Sequence, residues 1–138
     1  MTQARWYAVA GTLLLLLGGC SITPRELRAS NPVFTRTATG EAEAVARCIQ
    51  EELEDKHGGA FGTMGGVTFE TRHEGTTVRL LGRSALIPSQ ARLDLAIAPI
   101  RPGQVEVQLR MAAPRWPQES AVTDAVDACT APRGLKGR

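Results

Sequence analysis

Apolar residues recur at helical spacing early in the chain, where Ala42, Val45, Ala46, Ile49 and Leu53 fall on one face of a helix predicted over residues 41–57. Thr39 is placed to cap it, and Glu41 and Glu43 sit at its positive end, where acidic side chains are favoured. Gly58-Gly59 supplies the expected stop. At 100° per residue Cys48 lies on the flank of the apolar face, while Glu51, Glu52, Glu54 and Asp55 make an acidic, solvated outer surface.

The period then changes from 3.6 to two. Val67, Phe69 and Thr71 alternate with polar partners, and so do Val78 and Leu80 beyond a turn expected at His73-Glu74-Gly75, which predicts a hairpin. Leu93, Leu95 and Ile97 make a third alternating run and Val105, Val107, Leu109 and Met111 a fourth. Pro102-Gly103 between them suits a type II turn. Leu86 and Ile87, in the longer connection before Pro88, are expected to form a short edge piece or to pack inward. Pro114 and Pro117 close the sheet, and Val122, Ala125, Val126 and Cys129 share the inner face of a second helix.

Strict alternation means one buried sheet face, which needs a covering layer. The predicted fold is therefore α+β, a two-layer sandwich of helix, antiparallel meander of three or four strands and helix, with both helices on one sheet face. This domain spans 40–130. Residues 20–39, polar and broken by Pro24 and Pro32, read as a flexible tether in which Val33 and Phe34 dock locally, and 131–138 as a disordered tail.

The first residues carry a different pattern. Arg5 precedes an almost unbroken apolar run from Trp6 to Leu17, ending in five leucines. That is the layout of an export signal. About a dozen apolar residues fall short of the ~20 needed to cross a ~30 Å hydrocarbon layer. Leu17-Gly18-Gly19-Cys20 then resembles the lipobox of bacterial lipoproteins, a likeness confined to residues 1–20. The resemblance implies a signal peptide over 1–19, cleavage before Cys20, and a Cys20 thiol carrying diacylglycerol beside an acylated amino group. Two or more acyl chains make a stable anchor, so the implied partner is a membrane, held through lipid. Ser21 is not the aspartate that retains enteric-type lipoproteins on the inner membrane, which points to the outer membrane, facing the periplasm.

With Cys20 given to lipid, Cys48 and Cys129 remain, in a compartment that permits disulfides. They are expected to pair; two separately buried thiols are the alternative. Fourteen arginines and two lysines face fourteen acidic residues, and loss of Arg5 with the signal leaves near neutrality. That balance gives no electrostatic reason for a nucleic-acid partner.

Chemistry is sparse. The Gly-rich stretch 58–66 follows a helix and precedes a strand, the reverse of a phosphate loop, and lacks its Gly-Lys-Ser/Thr ending. Cys48, His57, His73 and Cys129 match no zinc spacing. Ser84 and Ser89 lack a nucleophile elbow, and Asp94 points outward from its strand without an acidic partner. No catalytic residue, metal ligand or cofactor is nominated. The element order and the Ala46-Arg47-Cys48-Ile49 stretch are similar to small proteobacterial lipoproteins of unassigned function. The expected role is a non-enzymatic envelope lipoprotein making protein contacts or assisting assembly, with another envelope protein as partner. The alternative is a small-ligand-binding periplasmic module with a Gly-rich flap.

Overall fold

The computed structural model of the chain describes residues 22–62, 66–113 and 118–131. Helix α1 (Pro24–Ala29) leads into strand β1 (Phe34–Thr39) and helix α2 (Ala42–Gly62). Strands β2 (Val67–Glu74), β3 (Thr77–Ser84), β4 (Ala91–Arg101) and β5 (Gln104–Met111) follow, and helix α3 (Gln118–Thr130) closes the order. All five strands form one antiparallel-paired sheet in the order β1-β5-β4-β3-β2. The α+β, helix-on-sheet arrangement is the one the alternating and helical periods call for.

The alternation sorts side chains onto two faces. Val78 and Leu80 of β3, Leu93, Leu95 and Ile97 of β4 and Val105, Val107 and Leu109 of β5 point to the same side. There they meet Val45, Ala46, Ile49 and Leu53 of α2 and Val122, Ala125 and Val126 of α3 in one cluster. Both long helices therefore cover one face. Leu80, Leu95, Ile97, Val107 and Leu109 are fully buried, each burial contributing about 1.5–3 kcal/mol. Gly82 belongs to this inner row, between Phe69 and Leu93 in register. An added Cβ there would lie 2.7 Å from Leu93 Cγ and 3.0 Å from Val67 Cγ1, so helixward packing leaves room only for glycine.

Residues 24–39 correct the expectation of a flexible tether. Thr23, Pro24 and Glu26 start α1 with a capping box and a proline at its first positions, where a proline's missing N–H costs nothing. Thr23 N–H donates to Glu26 Oε2 at 2.7 Å, and these bonds hold the Glu26 carboxyl below its ordinary pKa. Leu27 then buries itself completely against Leu81 and Ala91. Leu81 alternates with Leu80, so α1 lies on the sheet face opposite the long helices. Phe34 opens β1 opposite Leu109 of β5 rather than merely docking, and Thr39, expected as a cap, is the last residue of that strand.

Three smaller differences have local causes. Helix α2 runs through Gly58-Gly59 to Gly62. Glycine lowers helix propensity by about 1 kcal/mol but ends a helix only where the backbone turns left-handed. The β2–β3 turn falls on Gly75-Thr76 instead of His73–Gly75, because positive φ is needed at the first loop position and only Gly75 takes it, at 61°. Leu86 and Ile87 neither form an edge strand nor pack inward; they are 77% and 50% exposed. Gly103 at φ 73° meets the type II expectation. The signal region 1–19, Cys20, Pro114, Pro117 and the tail beyond Ala131 lie outside the described residues.

Candidate functional site

Two surfaces bring together residues that can do more than fill the core. The first is where α2 and α3 meet. Cys48 leaves the flank of the α2 apolar face, Cys129 continues the Val122–Val126 face of α3, and the two are joined as a disulfide across 5.8 Å between Cα atoms and 81 residues of sequence. Beside it lies a groove of about 560 Å3, with Thr39, Gly40 and Ala44 on one wall and Ala128, Thr130 and Ala131 on the other. Gly40 shapes that wall. At φ 134° it turns the chain from β1 toward α2, and its N–H donates to Gly103 O at 2.8 Å. The α3 end is closed by Thr130 Oγ1 donating to Val126 O at 2.7 Å. The lining is small and nearly uncharged, a shape for an apolar side chain or small ligand rather than for general acid–base chemistry.

The second surface is the sheet face under α1. Asp94 of β4, expected to point into solvent, is fully buried there. Arg79 Nη1 donates to Asp94 Oδ2 at 2.5 Å and Arg79 Nε to Glu74 Oε2 at 2.7 Å, while Arg28 Nη2 of α1 lies 2.8 Å from Glu74 Oε1. Burial pushes the Asp94 carboxyl pKa up, outweighing the attraction of Arg79, Arg28 and Arg110. Asp94 Oδ1 is buried without a hydrogen-bond partner among the described residues. Next to this cluster Arg72 and Arg83 both reach Glu70, and hydrogen bonding from Arg72 holds that carboxyl down. Arg79 lowers Glu74 in the same way.

Arg28 to Glu74 ties α1 to β2, Arg79 bridges β3 to Glu74 of β2 and Asp94 of β4, and Arg110 Nε adds a bond to Ser30 O at 3.0 Å just past α1. Sequence reading missed the cluster because it missed α1, without which the face is open to water. The Thr23-Pro24-Arg25-Glu26 capping pattern was the signal that could have found it.

The remaining candidates are dispersed. His73 Nε2 lies 2.9 Å from Glu43 Oε2, with both side chains more than half exposed, a surface pair contributing at most about 1 kcal/mol. The side chain of His57 is outside the described residues. Ser84 Oγ accepts from Ile87 N–H at 3.2 Å and shapes the β3–β4 loop, in which Ser89 is exposed. Arg36 pairs with Asp127 of α3 and stacks 4.7 Å above the Phe34 ring, and Arg28 pairs with Glu74. Among the described residues no three His, Cys, Asp or Glu side chains converge as a metal site, and no helix is long and apolar enough to cross a membrane. The chain matches no protein-family model and no curated protein.

Proposed function

We propose that this chain is a bacterial envelope lipoprotein, anchored through lipid on Cys20 and acting by contact with another envelope protein rather than by catalysis. The observation that supports it is the Cys48–Cys129 disulfide. Disulfides persist in exported proteins and are rare in the cytosol, so the bond agrees with the export that Arg5, the leucine run and Leu17-Gly18-Gly19-Cys20 imply. It also leaves Cys20 as the one cysteine outside the pair. Ser21 favours the outer membrane, periplasmic side.

Cys20→Ser tests the anchor. The variant is expected to accumulate as the uncleaved precursor and to lose sensitivity to an inhibitor of lipoprotein signal peptidase; unchanged, inhibitor-sensitive processing contradicts the reading.

The contact surface assigned to this role is the groove beside the disulfide, whose two walls are held together by that bond. Ala128 is exposed on one wall, so Ala128→Arg fills the groove without touching the core. Affinity capture of the acylated parent from detergent-solubilised membranes is expected to enrich one envelope protein that Ala128→Arg fails to enrich. The second reading, a small-ligand module, is favoured by the volume of the groove, which falls within the ~300–1,000 Å3 of small-molecule sites. Its signature is a co-purifying small molecule lost in Ala128→Arg with no protein enriched.

A further inference from the structure

The β3–β4 loop holds two large aliphatic side chains in the open at the end of the sheet where the amino-terminal segment enters. Leu86 is 77% exposed and Ile87 50%. The loop is not slack. Ser84 N–H donates to Gln90 O at 3.0 Å, Gln90 N–H to Ile87 O at 2.8 Å, Ile87 N–H to Ser84 Oγ at 3.2 Å and Arg83 Nη1 to Pro88 O at 3.1 Å. Four bonds thus fix a short turn whose apolar tip faces away from the core, which water penalises and an apolar medium rewards.

The position of the tip says which medium. Ala91 N–H, one residue past the bonded Gln90, donates to Ile22 O at 3.0 Å. Cys20 precedes Ile22 by two residues, and a chain of that length reaches no more than about 7 Å. The lipid-bearing residue of the proposed function is therefore leashed to the root of the Leu86-Ile87 loop. A short leash lifts the domain little from the bilayer, and it lowers that end of the sheet first.

We infer that Leu86 and Ile87 form a membrane-docking tip, inserting into the lipid surface that holds Cys20 and fixing the domain's orientation on it. The inference rests on the lipid-anchor reading for its occupant. With the tip seated, the disulfide groove borders Gly40, which bonds to Gly103 in the β4–β5 turn at the opposite end of the sheet from the β3–β4 loop, so it faces away from the bilayer, toward a partner.

The test uses the mature protein purified from membranes, in vesicles of phosphatidylethanolamine and phosphatidylglycerol with and without acyl-chain bromine, and mass spectrometry to record whether Cys20 is acylated. Leu86→Trp and, separately, Ile87→Trp place an indole at the tip; the unsubstituted protein corrects for Trp116. Insertion to ~5–10 Å below the headgroups is expected to shift the added emission to the blue and to cut it roughly in half on brominated lipid. Quenching supports docking whether or not Cys20 is acylated. Unquenched emission from both variants overturns it, and with Cys20 acylated the anchor survives alone. A blue shift that depends on protein concentration and not on lipid also overturns it, seating a second copy on the tip.

Discussion

Replacing Cys48 and Cys129 together by alanine is expected to lower the stability of the domain by about 4 kcal/mol and its melting temperature by roughly 15–20 °C. The size follows from the 81-residue separation, since the entropy that a crosslink removes from the unfolded chain grows with loop length. The double variant keeps its fold. Ile49, Val122, Ala125 and Val126 still bury against the sheet without the bond, so circular dichroism should retain the parent signal below the transition. Thermal unfolding of the parent with and without reductant checks the result independently. A melting temperature that moves by only a degree or two in both experiments would mean that the pairing contributes nothing to the fold.

The second large effect concerns the buried carboxylate. Arg79→Ala is expected to cost about 3–5 kcal/mol, because it leaves the Asp94 carboxylate in a dry site without its 2.5 Å partner. Adding Asp94→Asn to Arg79→Ala should recover much of that loss, as the charge that lacked a partner is gone. Denaturant titrations of the four proteins of this double-mutant cycle measure both.

Asp94 also dictates a sign in pH dependence. Its folded pKa is raised above the ordinary 3.8, so between the two values the native protein binds more protons than the unfolded chain. Stability from this group is then fully present below about 3.8 and is lost as pH rises through the folded value. Glu70 and Glu74 act the opposite way. Their folded pKa values are depressed below 4.5, so what they contribute is present above it and fades as pH falls. The stability of the parent minus that of Asp94→Asn isolates the first effect and should decline from pH 4 upward before flattening. A difference that rises over the same range would contradict the raised pKa.

The sequence carried the sheet and the long helices because their faces are written as period. Leu93-Asp94-Leu95 and Val105-Glu106-Val107 alternate cleanly, and Val45, Ile49 and Leu53 repeat at helical spacing. The pairing of Cys48 with Cys129 was legible for a different reason: with Cys20 assigned to lipid they are the two cysteines left in a compartment that permits disulfides, and each falls on or beside the inner face of its helix. What the pattern hid was β1. Its Phe34, Arg36 and Ala38 sit on the helix-covered face, but Arg36 interrupts the apolar row and is accommodated there by Asp127 and the Phe34 ring. An arginine in an inner row reads as loop until its partner from α3 is known. Helix α1 escaped because one buried residue, Leu27, anchors it, and one apolar position makes no period. Missing α1 turned Asp94 from a buried, paired group into an exposed one. The exposed tip at Leu86-Ile87 was invisible for the opposite reason, since apolar residues in a connection are expected to go inward and here four hydrogen bonds hold them out.

The account stands on three cysteines in two roles, lipid for one and a crosslink for the other two. Mass spectrometry of protein extracted from native membranes, with thiols blocked before non-reducing digestion, reads all three at once. The account predicts an amino-terminal peptide beginning at Cys20 and carrying diacylglycerol, together with one linked peptide joining Cys48 to Cys129. A blocked, free thiol at Cys20 with residues 1–19 still attached, or blocked thiols at both Cys48 and Cys129, would contradict it.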